Sequence, residues 1–120
     1  MTPPTPEQVE ANMIDMMGSL PESFASAKAI DPRFLVEHAT SSRFSTMDEN
    51  NPFDRKTSLI IVLATSIAIG NEECVGKQAV LLKKLGMTKE ELAYLVKLVR
   101  HSQSAAVVSN ARAAFDTFIE

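Results

Sequence analysis

The sequence predicts an all-α domain, a bundle of six or seven helices. Two observations carry that expectation. Methionine, alanine, leucine and isoleucine are plentiful, while aromatic residues make up only 6% of the chain and tryptophan is absent. Straight-chain residues and alanine lose little entropy in a helix, so this mix suits helix packing better than a sheet core. Apolar residues also recur at helical spacing between clear start and stop signals. With 120 residues, 45% of them apolar and 22% charged, the chain is read as one domain over 1–120, with a loose leader at 1–5.

Thr5-Pro6-Glu7-Gln8 opens the first helix: Thr5 as N-cap, proline at the first helical position, and Gln8 closing a capping box. Val9, Met13, Met16, Met17 and Leu20 follow at helical spacing until Gly18 and Pro21 end the element. Pro21 starts a short second helix with Phe24, Ala27 and Ile30, and Asp31-Pro32 repeats the start signal for a third carrying Phe34, Leu35, His38, Ala39 and Ser42. Ser45 to Pro52 is polar and turn-rich, hence a loop. Asp54 caps the most apolar stretch, which runs to Ile69. Nearly every face of it is apolar, so it is expected at the centre, covered on all sides. Gly70-Asn71 breaks the chain, and Asn71 caps a helix that starts Glu72-Glu73-Cys74 and stops at Gly86. Thr88-Lys89-Glu90-Glu91 is a second capping box. His101 to Ser104 is read as a final break before a last helix with Ala105, Val108, Ala111, Phe115 and Phe118.

Charge and cysteine usage remove several function classes. The net charge is -3 with acids and bases interspersed, so no basic stripe exists to neutralise phosphates and no nucleic-acid partner is expected. A single cysteine rules out an intramolecular disulfide framework. The proline-rich, acidic start does not resemble a signal peptide. The longest apolar run, Leu59 to Ala64, falls far short of the roughly 20 residues of a membrane span. A cytoplasmic protein without membrane association is expected. Two histidines and one cysteine at unrelated spacings make no metal site, and no cofactor is expected.

The stretch Phe53 to Thr88 resembles the core of the carboxymuconolactone decarboxylase and alkylhydroperoxidase D family. The residues that carry the likeness are Asp54-Arg55-Lys56-Thr57, the apolar helix, Ala68-Ile69-Gly70-Asn71-Glu72-Glu73-Cys74, then Leu82, Lys83 and Leu85-Gly86-Met87-Thr88. Ser104 to Phe115 resembles the closing helices, and the family core is placed at about 53–118. The resemblance implies an all-α unit built round a helical hairpin and assembled as a homotrimer or homohexamer. The peroxidase-like branch has two cysteines three apart, a histidine four residues past the second, and a glutamate on the preceding helix. These fall here on Asn71, Cys74, Gln78 and Leu59. The decarboxylase branch has an acidic run, resembled by Glu72-Glu73, and the same histidine, again Gln78; its glycine-proline turn is replaced by Gln103 to Ala105. The cysteine pair is missing, so paired-cysteine disulfide reduction is excluded on residue grounds.

The residues that could carry chemistry are therefore few. Cys74 is the reactive candidate: the first turn of a helix offers unpaired N–H groups to an anion and Lys77 adds positive charge, while Glu72 and Glu73 add negative charge. The plain alternative is a small packed thiol. His101, at the expected break, is a candidate base; the alternative is a histidine on the last carbonyls of a helix. Gln78 can hold a ligand oxygen but cannot shuttle a proton. Asn71, Glu73 and Lys77 complete a substrate-binding rim. His38 reads as a satisfied core residue, and Met13, Met16 and Met17 as core, interface or an adaptable groove. The expected function is that of a carboxymuconolactone decarboxylase-like protein: a small-molecule enzyme for an organic acid or lactone, or a one-cysteine thiol peroxidase. The alternative is a non-catalytic oligomeric scaffold or ligand-binding protein.

Overall fold

The structure, a computed structural model, describes residues 2–120; Met1, the first residue of the expected leader, lies outside them. The described residues form seven α-helices and no strand: α1 Pro6–Met17, α2 Glu22–Ile30, α3 Arg33–Phe44, α4 Arg55–Ile69, α5 Glu72–Lys84, α6 Lys89–Asn110 and α7 Arg112–Ile119.

Four helix starts are set by the caps expected from the sequence; α3 begins instead behind Pro32 with no side-chain cap bond, and the Asp31 carboxylate expected to cap it pairs with Arg33. Thr5 with Gln8, and Thr88 with Glu91, form reciprocal capping boxes. Asp54 accepts from the Thr57 N–H at 2.7 Å and Asn71 from that of Cys74 at 3.1 Å. These bonds satisfy N–H groups that the first turn of a helix leaves without partners. At the hinge after α4, Gly70 has φ +78°. The Asn71 N–H returns to the Ser66 carbonyl and the Gly70 N–H to that of Ile67. This closure needs a left-handed residue, which glycine supplies without steric cost.

Two cores result. Leu59, Leu63, Leu82, Leu95 and Val99 bury themselves where α4, α5 and α6 meet, and Val9, Met13 and Leu35 do so between α1 and α3. The α4–α5 hairpin is the most extensive pairing, and α1 joins the two halves by packing on α5. Lys84 reinforces that joint by donating to the Met16 carbonyl at the end of α1. Lys28 to Glu10 ties α2 to α1, and Lys56 to Glu91 ties α4 to α6.

Two further expectations need correction. First, α6 does not break at His101–Ser104 but continues to Asn110. Histidine and serine are only moderately poor helix formers, at most about 0.7 kcal/mol each, glutamine is a good one, and the segment lacks glycine or proline to force a stop. Gln103 Nε2 also donates to the Ala68 carbonyl, fixing the middle of α6 against the end of α4. Second, α4 is central but not covered on all sides within one chain. Ser58, Leu59, Leu63 and Ser66 are buried, whereas Ile61 is 48% exposed and Ile69 71%. The second half of α6 and all of α7 project: the radius of gyration is 18.3 Å, against about 14 Å expected for a compact domain of this length.

Candidate functional site

A cavity of about 410 Å³ lies between α1, α3, α4 and α5, within the usual range for small-molecule sites of roughly 300–1,000 Å³. Its walls are Met13, Met16, Met17, Leu59, Val62 and Leu81, and its polar edge comprises His38, Ser42, Arg55, Cys74, Lys77 and Gln78. Each polar side chain arrives by ordinary helix periodicity. Cys74, Lys77, Gln78 and Leu81 fall on one stripe of α5, His38 and Ser42 on one stripe of α3, and Arg55, Leu59 and Val62 on one stripe of α4.

The sulfur sits at the junction of the hairpin. Ser66, 4% exposed, places its hydroxyl 3.0 Å from Cys74 Sγ and 2.8 Å from the Val62 carbonyl. With the thiol protonated, its S–H can donate to the Ser66 oxygen while the hydroxyl donates to the carbonyl; only a thiolate would compete for the hydroxyl proton. Gln78, 8% exposed, approaches Sγ with Nε2 at 4.0 Å, and its Oε1 has no partner. An acceptor closed off from water without a donor costs about 1–3 kcal/mol.

The charge pattern is one-sided. Arg43, Arg55 and Lys77 line the cavity and no aspartate or glutamate does. None of the three is in an ion pair among the described residues. Arg55 rests on Met47 Sδ at 2.9 Å, a weak acceptor, and Lys77 Nζ stands 5.6 Å from the Phe24 ring centroid. His38 packs on the same ring, with centroids 4.6 Å apart. Burial, and then the Lys77 charge, hold His38 below the ordinary histidine range, so its imidazole is neutral at pH 7.

The structure thus joins Cys74, Lys77 and Gln78 in one cavity and leaves the other sequence candidates elsewhere. Asn71 is the α5 cap. Glu73 turns to α2, where its carboxylate accepts from the backbone N–H and the hydroxyl of Ser23. His101 is exposed in mid-α6 and is not among the cavity residues, because the break that would have swung it inward does not exist. His38, Arg55 and Ser66 were not singled out as site residues. Arg55 had a signal in the Asp54–Thr57 motif; Ser66 had only its place on the face of α4 that meets α5. No group of three histidine, cysteine, aspartate or glutamate side chains among the described residues is placed to hold a metal ion, and no helix among them is long and apolar enough to cross a membrane.

A wider apolar groove of about 620 Å³ runs between α4 and α6. It holds neither the thiol nor a histidine, so the α1–α3–α4–α5 cavity is the better candidate for chemistry. No curated protein matches the chain. The model of the carboxymuconolactone decarboxylase family matches residues 35–119, from α3 to the end of α7, and includes His38, Ser42, Arg55, Cys74, Lys77 and Gln78 of the cavity edge. The chain therefore belongs to the carboxymuconolactone decarboxylase family.

Proposed function

We propose that this family member binds a small organic anion, an organic acid or lactone acid, in the α1–α3–α4–α5 cavity and presents it to Cys74. The observation that carries the reading is the coincidence of apolar walls with three unpaired cations, no carboxylate, and a thiol at the polar edge. Low-dielectric walls strengthen the attraction of the cations for an anion. Gln78, lacking a donor for Oε1, offers an acceptor to a ligand hydroxyl once its amide turns toward the cavity.

Competing alkylating reagents test this directly. The rate ratio of iodoacetate to iodoacetamide at Cys74 is measured in the folded and the urea-unfolded chain. Folding should raise the ratio about tenfold or more, and Arg55→Gln or Lys77→Gln should lower it. An unchanged ratio removes the anion site. A folded thiol inert to both reagents leaves the alternative, a non-catalytic scaffold or ligand-binding protein.

The Ser66 hydroxyl beside the sulfur favours a second reading, a one-cysteine thiol peroxidase. In that reaction the peroxide O–O bond breaks, one oxygen joins the sulfur as sulfenic acid, and the other leaves as water or alcohol. A small thiol must then reduce the sulfenic acid, because the chain has no second cysteine. Peroxide consumption that requires added thiol and vanishes in Cys74→Ser would establish it.

We also propose a cytoplasmic homotrimer or homohexamer. Val107, Phe118 and Ile119 on the projecting α6–α7 arm are 69–91% exposed in the single chain, and the α4–α6 groove offers a matching apolar surface. Light scattering should give three or six times the 13.1 kDa chain mass; a monomer would remove the assembly.

A further inference from the structure

Reaction at Cys74 must dispose of the thiol proton, and the cavity contains few groups that can take it. No aspartate, glutamate or tyrosine lines it. Arg43, Arg55 and Lys77 are cations without a free lone pair at neutral pH, and the Gln78 amide does not titrate. Among the described residues that line it, His38 is the one remaining side chain that exchanges a proton near neutrality.

Its placement suits that task. His38 enters from α3, and its ring is held against Phe24 of α2. Lys77 Nζ stands over the same Phe24 ring, so His38, Phe24 and Lys77 form one cluster. Lys77 follows Cys74 by three residues on α5, and His38, Cys74 and Lys77 line the same cavity. The charged groups lining the cavity with His38 are Lys77 from α5, Arg55 from α4 and Arg43 from its own helix; α1 contributes Asn12 and methionines. No carboxylate lines it to hold an imidazolium, since Glu73 is turned to Ser23. The ring therefore keeps a free lone pair, consistent with its lowered pKa. Beside the sulfur, Gln78 is more than nine-tenths buried and its Oε1 has no partner among the described residues.

We propose that His38 is the proton acceptor of the cavity, taking the Cys74 thiol proton through a water or ligand hydroxyl that bridges the two side chains. The inference rests on the functional reading only in treating Cys74 as the reacting atom. The freed sulfur lone pair forms a bond to an electrophilic carbon, and the bond to the leaving group breaks with its electron pair on the leaving group. The proton stays on His38 until solvent removes it. His38 thus supplies from α3 what Gln78 on α5 cannot.

The test uses iodoacetamide, a neutral probe, on the full-length protein. Its rate at Cys74 is followed from about pH 5 to pH 10 in the wild type, His38→Gln and His38→Phe, with circular dichroism confirming the fold. Near pH 7 both variants should react about 10- to 100-fold more slowly than the wild type. The curves should converge near pH 10, where hydroxide removes the proton unaided. Superposable curves, or curves offset by one factor at every pH, would overturn the proposal, since a purely structural role does not depend on pH. A pH-dependent gap without iodoacetate preference would remove the anion reading and keep this one; the reverse result would do the opposite.

Discussion

Replacing Gln78 by leucine separates two contributions that a site residue makes, one to stability and one to binding. The side chain is 8% exposed, its Oε1 has no donor, and its one polar contact is Nε2 to sulfur at 4.0 Å. Leucine is close in volume and keeps the apolar contacts. The substitution therefore removes an unsatisfied acceptor, about 1–3 kcal/mol, and gives up a contact too long to offset it. At roughly 2.1 cal/mol/K of unfolding entropy per residue, 1 kcal/mol corresponds to about 4 °C for a chain of this length. Gln78→Leu should raise the melting temperature by about 4–12 °C in a thermal melt followed by circular dichroism. It should also weaken organic-acid binding in calorimetry, because the acceptor is lost with the strain. A lower melting temperature would mean that Oε1 is satisfied in solution, and the case for an idle acceptor awaiting a ligand would fail.

Further perturbations address the frame around the site. Gly70→Ala places a Cβ in left-handed backbone at φ +78° and should cost about 1–2 kcal/mol in urea denaturation. Leu63→Ala, at a position 1% exposed, should cost about 2–5 kcal/mol. Phe118→Ala, at a position 91% exposed, should leave chain stability within about 0.5 kcal/mol while lowering the assembled mass in light scattering. Stability should also fall with acidification in two stages. His38 has a folded pKa below its ordinary value of 6.5, so the unfolded chain takes up its proton first and stability is lost as pH falls from about 6.5 through the folded value. Asp31, Asp54 and Glu91, lowered by their hydrogen bonds, give a second loss as pH falls from about 4.5 through their folded values. His38→Phe should abolish the first stage in pH-dependent melts.

Local chemistry explains which parts of the structure were legible in the sequence. Thr5, Asp54, Asn71 and Thr88 act within three residues of themselves, and each caps the helix it was expected to cap. Gly70 and Gly86 likewise occur in the left-handed conformation that their stop signals require. Polarity at His101–Ser104 was a weaker signal, because nothing there forbids helix and the decisive contact, Gln103 to Ala68, spans 35 residues. The same separation of scales governs the site. Cys74, Lys77 and Gln78 share a stripe of one helix, so their meeting is visible from spacing alone. His38 and Arg55 join them only through the packing of α3 and α4 against α5, and a one-dimensional pattern carries no term for that. Glu73, a rim candidate by proximity to Cys74, is drawn off by Ser23, fifty residues away.

The distribution of charge shows why the cavity can select an anion in a chain whose net charge is -3. Acids on the outside serve as caps and inter-helix ties: Asp54 and Glu91 at helix starts, Glu10 to Lys28, Glu73 to Ser23. Each such use removes a carboxylate from competition for the cavity cations. Arg43, Arg55 and Lys77 are left with a thioether, an aromatic face and solvent, partners that cost little to displace. A carboxylate entering from water therefore breaks no protein ion pair, so its attraction to the cations is offset mainly by its own desolvation. Filling one of those places with a carboxylate, as in Ser42→Asp, should suppress the iodoacetate preference at Cys74 while leaving the iodoacetamide rate nearly unchanged. If both rates fell together, the cations would be acting on access to the thiol and not on the charge of the ligand.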